Sequence, residues 1–218
     1  MSRFIAAVVA LVISACAHSA QTVLVVGDSL SAGYGMRRDE AWPALAAARI
    51  AAQGLDWQVA NASISGDTTA SGRSRLAAAL ARHRPALVVI ALGANDALRG
   101  LPIDAMRDNL RAMIREARAA RARVLLVGMD MPPNYGEAFR QQFRATFAGL
   151  AATERVPLVP FLLEGFATRR ELFQADGIHP AAAAQPLILD NVWPALKPLL
   201  SRGRRAPAGT VRRPPSPR

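Results

Sequence analysis

From residue 22 onward, short apolar runs alternate with longer segments in which apolar residues recur every three or four positions. The runs are "TVLVVG" (22–27), "WQVANAS" (57–63), "ALVVIALG" (86–93), "RVLLVGMD" (123–130) and "VPLVPFL" (156–162). They are mostly continuous, which suits strands buried on both faces. Between them, "IDAMRDNLRAMIREARAA" (103–120) is the clearest helix, with Ile103, Met106, Leu110, Met113, Ile114 and Ala117 on one face. Segments 40–53, 69–84 and 137–154 fit the same role, and "PAAAAQPLILDNVWPALKPLL" (180–200) supplies a final helix that its prolines are expected to interrupt. The order βαβαβαβαβα predicts the α/β class: a parallel five-stranded sheet with right-handed crossovers and helices on both faces.

In such a sheet, ligands bind beyond the carboxyl ends of the strands. The first run ends in Gly27-Asp28-Ser29, the second in "ASISGDT" with Gly66, and the third in "LGAND" with Asn95. One edge therefore collects a hydroxyl, a backbone amide at a glycine and a side-chain amide. Acyl transfer asks for this set: a serine to attack a carbonyl, and preorganised donors for the oxyanion, here the Ser29 and Gly66 amides and the Asn95 side chain. Attack also needs a base. His18 lies in or beside the N-terminal leader, and His83 sits in an arginine-rich helix end, which leaves His179 in "ADGIHP", three residues after Asp176. That spacing lets Asp176 orient the imidazole while His179 takes the Ser29 proton.

Taken singly, each motif has an ordinary structural reading. Gly-Asp-Ser and Asp-x-x-His also describe capped helix entries, and Gly-x-Asn-Asp a turn. The combination is what points to chemistry. Phosphate cradling is disfavoured because no lysine follows the glycine loop. Asp28, Asp67, Asp96 and Asp130 could gather a hard cation, but His179 is the one nitrogen ligand available, and no metal site is expected.

Composition narrows the picture further. The chain has 218 residues, 51% hydrophobic and 20% charged, enough for one well-cored domain. Its net charge of +11 would suggest an anionic partner, but residues 201–218 alone hold six arginines and no acid. The rest lacks the aromatic interleaving of a single-strand binder, so no nucleic acid is expected. Residues 203–218 lack apolar periodicity and read as a disordered tail. At the other end, one arginine precedes an apolar run from Phe4 to Ile13, a signal-peptide core too short to span a bilayer. Two processing routes remain open: cleavage after Ala17 or Ala20, or acylation at Cys16, since Ile13-Ser14-Ala15-Cys16 resembles a bacterial lipobox. Either way no thiol remains for a disulfide or nucleophile. The expected organisation is a leader at 1–20, a domain at 21–200 and a tail at 201–218.

The motifs also resemble those of a known family. "GDSLSAGYG", "NASISGDTTASG", "LGANDALRG" and "DGIHP" occur in order and resemble the conserved blocks of the SGNH hydrolases, the GDSL esterases and lipases. "PPNYG" and "DGIHPAAAAQP" resemble its bacterial thioesterase and lysophospholipase branch. The resemblance implies a flavodoxin-like three-layer α/β/α sandwich acting on esters and thioesters of fatty acids. It assigns Ser29 as nucleophile, His179 as base, Asp176 as its partner, and Ser29, Gly66 and Asn95 as oxyanion donors. It further implies a mobile substrate loop over Asp96, Ala97, Leu98, Arg99, Gly100, Leu101 and Pro102. Tyr135 would either wall the same groove or serve as a structural aromatic. Ala94 stands where relatives often carry a second glycine. No cofactor is implied, and the expected partner is a small ester or thioester, including lysophospholipids, for a monomeric, exported, periplasmic protein attached to the membrane only if the acylation route at Cys16 is the one used. Alternatives are an envelope carbohydrate O-deacetylase with the same catalytic set, or a lipid-binding protein without turnover.

Overall fold

The structure, a computed structural model, describes residues 20–200. Cys16, His18, nearly all of the leader and the arginine-rich tail lie outside the described residues. Five strands form one parallel sheet: β1 (Gln21–Gly27), β2 (Trp57–Asn61), β3 (Leu87–Ala91), β4 (Arg123–Val127) and β5 (Leu158–Val159). Their order is β2-β1-β3-β4-β5, the flavodoxin-like order, in which the winding reverses between β1 and β3. Two short helices follow those strands, α1 (Ser29–Ala32) after β1 and α4 (Ala94–Leu98) after β3. The longer helices are α2 (Trp42–Ala52), α3 (Thr69–His83), α5 (Ile103–Ala119), α6 (Glu137–Glu154) and α7 (Gln185–Leu200).

Two cores explain the continuous apolar runs. Val23 and Val25 of β1, Leu87 and Val89 of β3, and Leu125 and Val127 of β4 pack with Trp42, Ile50, Ile188 and Val192 of α2 and α7. Their alternates Leu24, Val26, Val88, Ile90, Val124 and Leu126 pack with Leu76, Leu110, Met113 and Phe147 of α3, α5 and α6. Because successive strand side chains point to opposite faces and both faces are covered, each position must be apolar. The result is the three-layer α/β/α sandwich.

Three elements differ from expectation. The second strand stops at Asn61, whose Oδ1 accepts the Ser63 amide at 3.1 Å, although Ile64 N still donates to the Gly27 carbonyl of β1 at 3.0 Å. The fifth is two residues long, hemmed in by Pro157 and Pro160, which lack an N–H for a ladder. The final helix, in contrast, is not interrupted: Pro194 and Pro198 both lie inside α7. A helix-interior proline costs about 3 kcal/mol. Fully burying a Val, Leu or Ile side chain returns roughly 1.5–3 kcal/mol. Ile188, Leu189, Val192, Leu196, Leu199 and Leu200 are all buried, so packing overrides local propensity.

Candidate active site

Ser29 opens α1 directly beyond the end of β1, at the reversal point of the sheet. Gly27 makes this turn possible: a β-carbon there would stand 2.8 Å from Ser31 Cβ and 3.1 Å from the Ala91 carbonyl oxygen. Asp28 caps the helix, its Oδ1 accepting the Leu30 amide at 3.0 Å, and Gly33 closes it in the left-handed conformation. Two bonds brace the turn from outside. Trp42 Nε1 donates to Ser31 Oγ at 3.2 Å, and Asn61 Nδ2 to the Ser31 carbonyl at 2.7 Å.

His179 arrives from a loop far along the chain. Its Nε2 lies 2.9 Å from Ser29 Oγ, and its Nδ1 lies 2.7 Å from Asp176 Oδ2. Asp176 Oδ1 also accepts the backbone amides of Ile178 and His179, at 2.9 and 3.0 Å. These bonds hold the Asp176 carboxyl down at about 2, the His179 amide contributing most. An ionised Asp176 accepts from Nδ1–H, leaving the Nε2 lone pair facing the serine hydroxyl. The loop is pinned by Gln174, whose Nε2 donates to the Tyr34 carbonyl at 2.7 Å, and the Tyr34 ring packs 4.3 Å from the imidazole.

Asn95 links the remaining parts. Its Nδ2 lies 3.0 Å from the Asp67 carbonyl and 3.3 Å from Asp28 Oδ2, so it bridges the neighbour of Gly66 and the neighbour of Ser29. Gly66 has φ +82°, a value that favours glycine, and neither the Ser29 nor the Gly66 amide is bonded to a backbone carbonyl among the described residues. Arg75 ties the three loops together. Its guanidinium pairs with Asp67 at 2.6 Å and donates to the carbonyls of Ala62 at 2.5 Å and Gly27 at 3.4 Å. Burial pushes the Asp28 carboxyl up to about 6, against the opposing Leu30 amide and the His179 charge.

The other expected residues divide. Leu98, Arg99, Gly100, Leu101 and Pro102 are exposed beside Asn95, and Arg99 donates to the Gly66 carbonyl at 2.7 Å. Asp96 and Ala97, in contrast, are buried inside α4. Asp96 clamps the start of α3, accepting from Thr69 N at 2.8 Å and Thr69 Oγ1 at 2.6 Å. Tyr135 packs on Phe139 and on the core around α5 and α6, the structural alternative of its two readings. The four aspartates considered as a cation site do not converge: Asp67 pairs with Arg75, and Asp130 with Arg140 and Arg144. His83 ends α3, as its arginine-rich surroundings suggest. Asp28 and Tyr34 sit within the quoted Gly-Asp-Ser block, but nothing there announces the Asp28–Asn95 or Tyr34–His179 contacts, and Arg75 has no distinguishing sequence signal.

A doubly wound α/β domain with a Ser–His–Asp chain at its reversal point falls in the class of SGNH-type hydrolases. The GDSL-like Lipase/Acylhydrolase family model matches residues 25–186, and the chain belongs to that family. It is 52% identical over 191 residues to esterase TesA of Pseudomonas aeruginosa, covering 88% of this chain and 95% of that one. It is 42% identical over 189 residues to thioesterase 1/protease 1/lysophospholipase L1 of Escherichia coli, covering 85% and 88%. A solved crystal structure of TesA superimposes with a TM-score of 0.81 at 53% identity, covering 82% of this chain and 99% of that chain.

Proposed function

We propose that the protein is a serine esterase that hydrolyses carboxylic esters and thioesters of fatty acids through an acyl-enzyme on Ser29. The observation that carries this reading is the unbroken hydrogen-bonded line from Asp176 through His179 to Ser29 Oγ. His179 Nε2 removes the serine proton as Oγ attacks the acyl carbonyl. The carbonyl oxygen becomes an oxyanion held by the Ser29 and Gly66 amides and by Asn95, which exchanges its long contact with Asp28 for the stronger acceptor. Collapse breaks the bond to the leaving oxygen or sulfur, which takes the proton from His179. Water, deprotonated by the same nitrogen, then attacks the acyl-enzyme and releases the fatty acid and free Ser29. Every group in this sequence belongs to the chain, the ester or water.

The surroundings support a fatty acyl substrate. Tyr34, Ile64, Leu98, Leu101 and Ile178 are the exposed large hydrophobic residues among those described, Leu98 at the end of α4 and the others on the loops that bear the site. Such clustering of exposed apolar surface marks a binding face for apolar ligands. The relatives named as esterase and as thioesterase/lysophospholipase support the same class. The N-terminal leader further supports export to the periplasm, with residues 21–200 as the catalytic unit and the tail beyond it, released by cleavage after Ala17 or Ala20 or held to the membrane by a lipid on Cys16 alone. No helix among the described residues is long and apolar enough to cross a membrane. An exported enzyme meets lysophospholipids and external esters rather than cytoplasmic acyl-CoA, and we read it as a monomer without a nucleic-acid partner.

The test is hydrolysis of p-nitrophenyl esters from acetyl to palmitoyl by the wild type and Ser29→Ala. Turnover strongest at medium to long chains and lost in the variant is expected. Absence of Ser29-dependent turnover at every chain length would overturn the assignment. For attachment, palmitate labelling of wild type but not of Cys16→Ser selects acylation at Cys16; an unlabelled wild type selects cleavage after Ala17 or Ala20.

A further inference from the structure

We propose that the groove between α2 and the end of β2 receives the leaving group, and that Arg38 there selects leaving groups that carry a phosphate. This deepens the esterase reading and rests on it. The groove has a volume of about 610 Å³, and its walls include Tyr34, Arg38, Pro43, Asn61, Ser63 and Ile64.

Its position follows from the proton transfer. His179 Nε2 must return its proton to the departing oxygen or sulfur, so that atom sits within hydrogen-bond reach of the imidazole. The rest of the leaving group therefore lies on the imidazole side of Ser29. Tyr34 occupies that side, 4.3 Å from the His179 ring, and is also a wall of the groove. Ser65, another wall residue, is the immediate neighbour of Gly66. The groove thus lies beside the reacting centre, reached past Tyr34 on the side of the proton donor and past Ser65 on the side of Gly66.

Its chemistry follows from which polar groups are already engaged. Asn61 is used internally, donating to the Ser31 carbonyl and accepting from the Ser63 amide. Next to Arg38, the Arg37 guanidinium is paired with Asp39 at 2.6 Å, and Glu40 accepts the Arg37 amide at 3.0 Å. Arg38 itself is exposed and makes no hydrogen bond or ion pair among the described residues. Ser63 Oγ is buried and likewise has no partner among them. A free guanidinium on the wall of the groove, with Ile64 and Pro43 for a short carbon skeleton, fits a phosphate ester: the guanidinium fork matches two phosphate oxygens. Two leaving groups share this chemistry. In a lysophospholipid the phosphate follows a three-carbon glycerol; in an acyl-CoA it follows the much longer pantetheine arm.

The experiment compares three substrates with one acyl chain: palmitoyl lysophosphatidylglycerol, palmitoyl-CoA and p-nitrophenyl palmitate. The readout is the ratio of kcat/KM for each phosphate-bearing substrate to that for the neutral ester, in wild type, Arg38→Ala and Arg38→Lys. In Arg38→Ala the ratio is expected to fall about tenfold, as loss of one charge-assisted phosphate contact implies. The change should lie mainly in KM, with partial recovery in Arg38→Lys. For the wild type, the ratio should also decline with added salt. A fall confined to the lysophospholipid identifies the glycerol-linked phosphate as the ligand; one confined to the acyl-CoA identifies the pantetheine-linked one. Ratios within twofold of wild type for both substrates overturn the proposal. Failure of the esterase reading looks different, because the wild type would then not turn over p-nitrophenyl palmitate.

Discussion

Asp28 Oδ2 lies 3.3 Å from the side-chain amide of Asn95, and the Asp28 carboxyl is almost wholly buried beside Ser29. Desolvation raises it from 3.8 to about 6. In the unfolded chain the group ionises near its ordinary value. Between the two values the unfolded chain gives up a proton that the folded protein retains, so stability falls as pH rises from 3.8 to about 6 and then levels off. The full effect is about 3 kcal/mol. Asp28→Asn keeps a capping oxygen and removes the titration. Urea unfolding across this range should show the stability of the variant relative to wild type rising with pH and then staying level above about 6. A constant offset at all pH values would contradict this account.

Asp176 is expected to behave in the opposite sense. Its carboxyl is held at about 2, so the stability it contributes is complete above 3.8 and lost as pH falls through about 2. It therefore stays ionised across the working range, and the acid limb of the pH–rate profile belongs to another group. Asp176→Asn presents an amide to Nδ1 and favours the wrong imidazole tautomer. A loss in kcat of roughly 10²- to 10⁴-fold is expected, with KM little changed. A variant with wild-type kcat would remove Asp176 from the mechanism.

Arg75 is a positioning residue that acts through Asp67. Arg75→Met keeps the apolar stem but leaves the buried Asp67 carboxylate without its partner, which should destabilise the protein by about 3 kcal/mol. Because the Asp67 carbonyl holds Asn95 at 3.0 Å, kcat should fall by more than KM rises. Arg75→Lys should recover part of both losses. Denaturant unfolding and steady-state kinetics on one p-nitrophenyl ester separate the two effects; lost stability with unchanged kcat would leave Arg75 a purely structural role.

The contrast between these residues and the motif residues shows what a sequence makes legible. Strands buried on both faces become continuous apolar runs, so β1 and β3 are read almost to the residue. The helices α1 and α4 span only four and five residues, too short for any apolar period to register. Pro194 and Pro198 mislead because local propensity says nothing of the burial that carries α7 through them. At the site, Ser29, His179 and Asp176 stand out by residue type, and the fold brings them together. Arg75 looks like any helix-surface arginine, and its contact with Gly27 spans 48 positions of sequence. Asp96 is the converse case: the sequence places it directly after Asn95, while its partner Thr69 lies a helix away and no local signal announces it.

Gly93 and Ala94 provide the last prediction. Gly93 has φ +125°, outside the range of ordinary side chains, and a β-carbon there would stand 3.0 Å from both Met106 Sδ and Phe147 Cζ. Met106 and Phe147 are both buried in the core, so neither can move aside freely. Gly93→Ala must therefore either strain the backbone or shift the start of α4, at a cost of about 2 kcal/mol. Asn95 lies in the first turn of that helix, so the shift reaches the proposed oxyanion donor, and kcat should fall about tenfold or more. Ala94, by comparison, begins α4 with negative φ. Ala94→Gly should cost at most about 1 kcal/mol and keep most of kcat. Equal kinetics for the two variants would mean that the Gly93 conformation does not set the position of Asn95.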